Sequence, residues 1–130
     1  METSAVLLEK PEHLTLEMVG LKDPSQGEVV VRVIHSGIST GTEKLLWSGA
    51  MPPFPGLGYP LVPGYEAVGE ILEVPKGASL KVGDLVFVPG SNGFVDAKGL
   101  FGGSARHLVT PVNRVTKINS EIGEKGVLYA

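Results

Sequence analysis

No cysteine occurs anywhere in the 130 residues, which removes disulfide frameworks, thiolate metal centres and zinc ribbons from consideration. The same absence suits a reducing cytoplasm, where the protein is expected to work. Charge is scarce as well: 19% of residues are charged, against roughly 25% in ordinary soluble domains. The 11 basic and 14 acidic side chains leave a formal net charge of -3, so no field exists to hold polyphosphate and nucleic acid is not an expected partner. No apolar run reaches the roughly 18 residues a membrane span needs, and no basic segment precedes an apolar one at the N-terminus. Neither a membrane span nor export is expected.

Glycine and proline, by contrast, are plentiful. Their 18 and 10 copies make up over a fifth of the chain, well above the roughly 12% of average usage, which argues against helix bundles and coiled coils. A single domain of this length hides around two thirds of its unfolded surface and so has room for one core. Hydrophobic residues reach 42%; with so few charges, this describes either a surface that meets another surface or a β-rich protein full of glycine turns. Composition alone favours the second.

Along the chain the dominant period is two. Ser4 to Leu8 is apolar, His13 to Val19 alternates, and Glu28 to Ile34 is the strongest strand, launched by the Ser25-Gln26-Gly27 turn. Thr42 to Gly49 changes character, with a threonine able to cap, Glu43 in the first turn, the pair Leu45-Leu46 and a glycine stop, and it predicts one short helix. Residues 50 to 64 hold five prolines and three glycines, which predicts an irregular loop carrying Met51, Phe54, Leu57 and Tyr59. Strands are expected over Tyr65 to Val74, Leu85 to Val88 and Ala105 to Thr110, with a second irregular excursion over residues 90 to 103. Ser120 reads as a helix start, and the chain stops inside it. Strands this closely spaced, and polar at alternate positions, predict a mainly β, mainly antiparallel barrel or sandwich.

Three phrases recur in a telling order. Gly27 to Val33 leads into Ser36-Gly37-Ile38-Ser39; Tyr59 to Glu66 leads into Val68-Gly69; Lys81 to Val86 precedes Gly102-Gly103-Ser104-Ala105. In this arrangement the chain strongly resembles the GroES-like catalytic domain of the medium-chain alcohol dehydrogenase superfamily. The resemblance covers nearly all of residues 1 to 130 and implies a partly open antiparallel barrel with one or two short helices. It also implies that a Rossmann domain, entered by a helix like the one starting at Ser120, follows in the full-length chain as this domain's partner. No G-x-G-x-x-G phosphate loop follows a strand here, so NAD is expected to be bound mainly by that other domain.

Departures from the superfamily are equally informative. Its catalytic zinc rests on two cysteines and a histidine. The first cysteine's place falls here on Ser39 or Thr40, and the histidine of its Gly-His-Glu phrase is Tyr65. A neutral hydroxyl and a phenol with reference pKa near 10 are poor zinc ligands at neutral pH, so no zinc is expected. Residues 90 to 103 lack the four cysteines of the structural zinc lobe, and Leu45 takes the place of the proton-relay histidine.

Within the superfamily, Gly37 to Glu43, Leu45 to Gly49 and Gly99 to Gly103 look like the branch that acts on chlorophyllide-type tetrapyrroles, in which NAD oxidises a ring hydroxyethyl group to acetyl. That resemblance implies a zinc-independent secondary-alcohol dehydrogenase in bacteriochlorophyll synthesis, of which these residues alone would be inactive. A noncatalytic pigment-binding relative and a zinc-independent quinone or enone reductase are the alternatives.

The candidate chemistry then falls on a few side chains. Tyr65 either shares the alcohol proton with a hydroxyl of Ser39, Thr40 or Thr42, or packs its ring at a strand start with its hydroxyl on backbone. Glu66, at the superfamily's acidic position, either orients Tyr65 or Ser39 or pairs with a buried base. Trp47, Met51, Phe54, Leu57 and Phe101 are candidates to line a wide apolar slot for a flat ring. Lys44 and Arg106 are candidates for the ring's carboxylate, with a solvated surface charge as the plainer account of each. His35 stands as a further substrate-side candidate. His107 reads as a structural hydrogen-bonder, and His13 as incidental.

Overall fold

The computed structural model describes residues 1 to 118; the helix start expected at Ser120 lies outside them. The predicted alternation folds into two five-stranded sheets. In the first, β1 (Glu2–Lys10) and β2 (His13–Leu21) form an antiparallel hairpin. Flanking them are β4 (Leu61–Val62), β7 (Phe94–Val95) and β8 (Lys98–Gly99), in the order β7-β2-β1-β4-β8. The second sheet runs β10-β6-β5-β3-β9, with β3 at Glu28–Ser36, β5 at Ala67–Glu73, β6 at Leu85–Val88, β9 at His107–Pro111 and β10 at Thr116–Lys117. All pairings are antiparallel except β4 with β8.

The two sheets are stitched along one seam. Val6 N–H donates to the Ser104 carbonyl at 2.9 Å, Arg106 N–H to Ser4 at 2.8 Å, and His107 N–H to the Thr3 hydroxyl at 2.9 Å. A single bridge pairs Ala5 with Ala105. A nearly closed, mainly β barrel results. Its interior holds Val29, Val31, Ile71, Val86, Val88 and Leu108, all fully buried. Val30, which alternation sends outward, is buried too, because Leu21 and Val109 cover that side of β3.

The one α-helix, α1, spans Thr40–Ser48 and ends on Gly49 in the left-handed conformation. It begins earlier than the Thr42 cap that the sequence suggested: Ser39 is already the extended cap residue, and its carbonyl accepts the Glu43 N–H at 2.9 Å. Regular structure also enters both loops expected to be irregular, since Leu61 pairs with Leu8 on one side and Lys98 on the other, and β7 lies in the second excursion. Neighbouring backbone, not local propensity, recruits these two-residue strands. Tyr65 and Glu66, expected at the head of a strand, precede β5 instead. Among the described residues no helix is long and apolar enough to cross a membrane.

A second, smaller core sits beneath α1. Leu46, its one fully buried residue, meets Leu8, Leu61 and Leu100, with Met51, Leu57 and Tyr59 packed around them. The Tyr59 hydroxyl donates to the Leu46 carbonyl at 2.5 Å and ties the proline-rich loop to the helix.

Candidate active site

Where β3 runs out, Ser36-Gly37-Ile38 carries the chain to Ser39 at the head of α1. Gly37 lies close against the opposite turn: its N–H donates to the Glu66 carbonyl at 2.6 Å, and a Cβ there would press on the Glu66 side chain, whose carboxylate would have to move aside. Opposite stands the turn Pro63-Gly64-Tyr65-Glu66. Gly64 takes a φ of 100°, and a side chain on it would strike Ser104. Three backbone bonds, from Gly102 to Val62, Gly103 to Gly64 and Ser104 to Pro63, zip the second loop onto this turn at 2.7 to 2.9 Å. They bring Phe101 beside Tyr65, with ring centroids 5.3 Å apart and planes tilted by 51°.

At the centre, the Tyr65 hydroxyl donates to Ser39 Oγ at 2.6 Å. A serine at a helix N-cap ordinarily uses that oxygen to accept from the helix's own N–H groups, yet Ser39 makes no such cap bond. Its oxygen serves Tyr65 instead, so the pair is held at the cost of a cap. Both side chains are half-buried, which leaves room for a hydroxyl group to approach.

Behind the pair is a carboxyl that sequence reasoning treated only as a first-turn helix acid. Both oxygens of Glu43 are shut off from solvent and lack a partner in hydrogen-bond geometry. Burial raises its pKa above 4.5, and the nearby Glu66 charge adds to that. The backbone N–H groups of Ser39 and Glu43 act the other way and only partly offset it. The available signal was its place four residues after the cap, which turns it back toward the helix start.

An apolar hollow of about 510 Å³ opens between α1 and the β1–β2 hairpin. Val6, Leu14, Ile38 and Trp47 form its walls, Thr40 and Lys44 stand at its side, and Glu43 reaches it. The structure thus gathers Tyr65, Ser39 and Phe101 in one cluster with Glu66 and Glu43 behind, and Thr40, Lys44 and Trp47 around the adjoining hollow. Thr42 is half-buried in the first turn of α1. Met51 and Leu57 pack into the small core instead of lining open space, while Phe54 remains exposed. His35 lies on β3 opposite Val68. Arg106 is exposed just before β9, where burial and the charges of Arg106 and Arg32 together lower the pKa of His107.

Three hydroxyls and two carboxyls can hold or pass a proton, but they are a poor fit to zinc. Among the described residues no group of three or more His, Cys, Asp or Glu side chains is placed to hold a metal ion.

Comparison with known proteins joins these observations. The chain is 51% identical to the 2-desacetyl-2-hydroxyethyl bacteriochlorophyllide A dehydrogenase of Cereibacter sphaeroides and 49% identical to that of Rhodobacter capsulatus. Each alignment covers 100% of this chain and 42% of the relative, so the chain spans under half the length of these curated relatives. Among solved structures, a short chain alcohol dehydrogenase from E. coli CFT073 complexed with cofactor NADH superposes with a TM-score of 0.77 at 26% identity, over 98% of this chain and 41% of that one. Residues 25–120 match the alcohol dehydrogenase GroES-like domain. The strand order, the Gly-Tyr-Glu turn and this match carry one conclusion: the chain belongs to the alcohol dehydrogenase GroES-like domain family.

Proposed function

We propose that the protein oxidises the hydroxyethyl group of a bacteriochlorophyllide to acetyl, with NAD as hydride acceptor and without zinc. The carrying observation is the Tyr65–Ser39 hydrogen bond; the family resemblance sets metal-ligand positions of zinc-dependent members at Tyr65 and at Ser39 or Thr40. The identity to the two bacteriochlorophyllide dehydrogenases supports the substrate class. NAD, which a nucleotide-binding domain outside these residues would hold, would supply the hydride acceptor for the carbinol carbon. The alcohol O–H is met by the Tyr65 and Ser39 hydroxyls, with Thr40 and Thr42 within the same turn of helix and Glu66 behind the turn. As the carbonyl forms, the departing proton passes to this hydroxyl pair and on to solvent. The conjugated ring beside the reacting carbon stabilises positive charge developing there, so hydrogen-bonding hydroxyls suffice where zinc would otherwise acidify the alcohol. Trp47, Phe54 and Phe101 present apolar surface to a flat ring, and Lys44 offers an ammonium to its carboxylate.

The test uses the full-length protein, NAD and the hydroxyethyl pigment, reading the spectral shift of the acetyl product. Turnover should survive chelators, and Tyr65→Phe should lower it by about a hundredfold to ten-thousandfold with pigment binding little changed. Full turnover in Tyr65→Phe, Ser39→Ala and Thr40→Ala would remove the hydroxyl cluster from the reaction. Pigment binding with no turnover would instead favour a noncatalytic relative.

A further inference from the structure

Two groups at the head of α1 each lack what the other has. A hydroxyl carries one proton to give as well as lone pairs to receive on. Ser39 Oγ accepts from the Tyr65 hydroxyl, and among the described residues the proton that Ser39 itself carries meets no acceptor. Glu43 shows the converse. Its carboxyl oxygens are the only side-chain polar atoms among the described residues that are shut off from solvent with no hydrogen-bond partner, so what they lack is a donor.

The helix sets the two side by side. Glu43 N–H donates to the Ser39 carbonyl at 2.9 Å, which closes the first turn beneath both side chains. Residues four apart share a helix face with Cβ atoms about 5 to 6 Å from each other, a gap that the torsions of a glutamate side chain can span. The Glu43 carboxyl already lies near the Ser39 backbone N–H.

We propose that Glu43 is the proton acceptor behind the Tyr65–Ser39 pair, the group to which the alcohol proton goes before it reaches solvent. This rests on the reaction proposed above and adds a destination to it. The alcohol O–H bond breaks as its proton moves to the Tyr65 oxygen, the Tyr65 proton moves to Ser39 Oγ, and the Ser39 proton moves to a Glu43 oxygen. The electron pair of the broken O–H bond becomes the second carbon–oxygen bond while the hydride leaves the carbinol carbon for the nicotinamide. Both hydroxyls end as they began, and the carboxylate ends as a carboxylic acid.

The surroundings suit an acceptor. From the β1–β2 hairpin Val6, Leu8 and Leu14 line the hollow that Glu43 reaches, and the end of β3 adds Ser36, so neither element brings a charge. Lys44, the next residue of α1, is exposed and makes no ion pair among the described residues. Glu66, from the turn before β5, is the one charge felt at Glu43, and it is of like sign. Burial, with Glu66 adding to it, raises the Glu43 pKa, which makes this carboxylate a stronger base than an ordinary glutamate.

The test uses the full-length protein with NAD and the hydroxyethyl pigment. Glu43→Gln keeps the shape and should lower kcat by about a hundredfold with KM little changed, the low end of the range for a general base. Wild-type kcat should rise with pH as Glu43 ionises and then level off. Glu43→Gln should lose that limb, and Glu43→Asp, a shorter carboxylate, should restore it in part. Once Tyr65→Phe has cut the path, adding Glu43→Gln should cost nothing further. Titration of Glu43 by carbon-13 NMR needs no turnover: Ser39→Ala removes the donor offered to the carboxylate and should move its midpoint upward. A Glu43→Gln variant that keeps wild-type turnover and the acid limb, beside an impaired Tyr65→Phe, would overturn the proposal and leave the reaction standing. So would a Glu43 midpoint that Ser39→Ala leaves in place. Full turnover in Tyr65→Phe would overturn both.

Discussion

The barrel and the small core beneath α1 each withdraw a carboxyl from water, and they treat it in opposite ways. Glu28, at the start of β3, is 9% exposed and accepts from the Ser25 N–H at 2.9 Å, the Ser25 hydroxyl at 2.6 Å and the Lys22 ammonium at 2.8 Å. Burial alone would raise its pKa; Lys22 and Ser25 outweigh that and hold it at about 2. Glu43, at the start of α1, has no such donors and is pushed the other way. In the barrel, then, buried polarity is satisfied and stabilises the fold. Beside the hydroxyl pair it is left unsatisfied, and unresolved polarity of this kind gathers where chemistry is done.

The strongest way to break the contrast is to remove the small core while sparing the barrel. Leu46 is fully buried, and it alone anchors α1 among Leu8, Leu61 and Leu100. Leu46→Ala should cost about 3 kcal/mol, within the usual range of 2 to 5 for such a cavity. Amide exchange should rise over α1 and residues 50 to 60 while β3 and β5 stay protected, and the Tyr65–Ser39 pairing should loosen with it. Uniform loss of protection across both regions would show that the two cores unfold as one.

A smaller effect sharpens the barrel side. With a folded pKa of about 2 against 4.5 unfolded, Glu28 contributes stability that is present above 4.5 and lost as pH falls toward 2. Lys22 is partly exposed, so the contribution is on the order of 2 kcal/mol, less than the bare shift would give. Glu28→Gln should lower stability at pH 7 by about that amount and flatten the acid limb of a denaturation series. An unchanged acid limb would mean that other carboxylates govern acid unfolding.

How much of this was readable beforehand follows the same divide. Val29, Val31, Ile71, Val86 and Val88 alternate along β-branched strands, so the barrel followed from local pattern. The neighbourhood of the site did not. Met51 and Leu57, on a loop with five prolines, suggested slot walls, but chain reversal brings them under Leu46, a contact with no local signature. Ser39 reads as an ordinary helix cap until Tyr65, 26 residues on, claims its oxygen. The turn containing Tyr65 was legible only through its family phrase, and Glu43 needed the fold to show that Glu66 lies near it.

The smallest expected effect tests the helix side of the comparison. Because the folded pKa of Glu43 is raised, its sign is opposite to that of Glu28: stability is fully present below 4.5 and lost as pH rises through the raised folded value. At neutral pH the ionised carboxylate is therefore a burden on α1. Glu43→Gln keeps the shape and removes the charge, so at pH 7 it should match or exceed wild type, by under ~1 kcal/mol given the residue's partial exposure. The informative reading is the difference in Tm between pH 5 and pH 8. Wild type should lose stability across that interval through this residue, and the glutamine variant should lose less, whereas Glu66→Gln should recover only the smaller share that the charge of Glu66 contributes. If Glu43→Gln instead destabilises the protein equally at both pH values, the carboxylate is meeting the helix N–H groups closely enough to act as a cap. The contrast with Glu28 would then be one of degree.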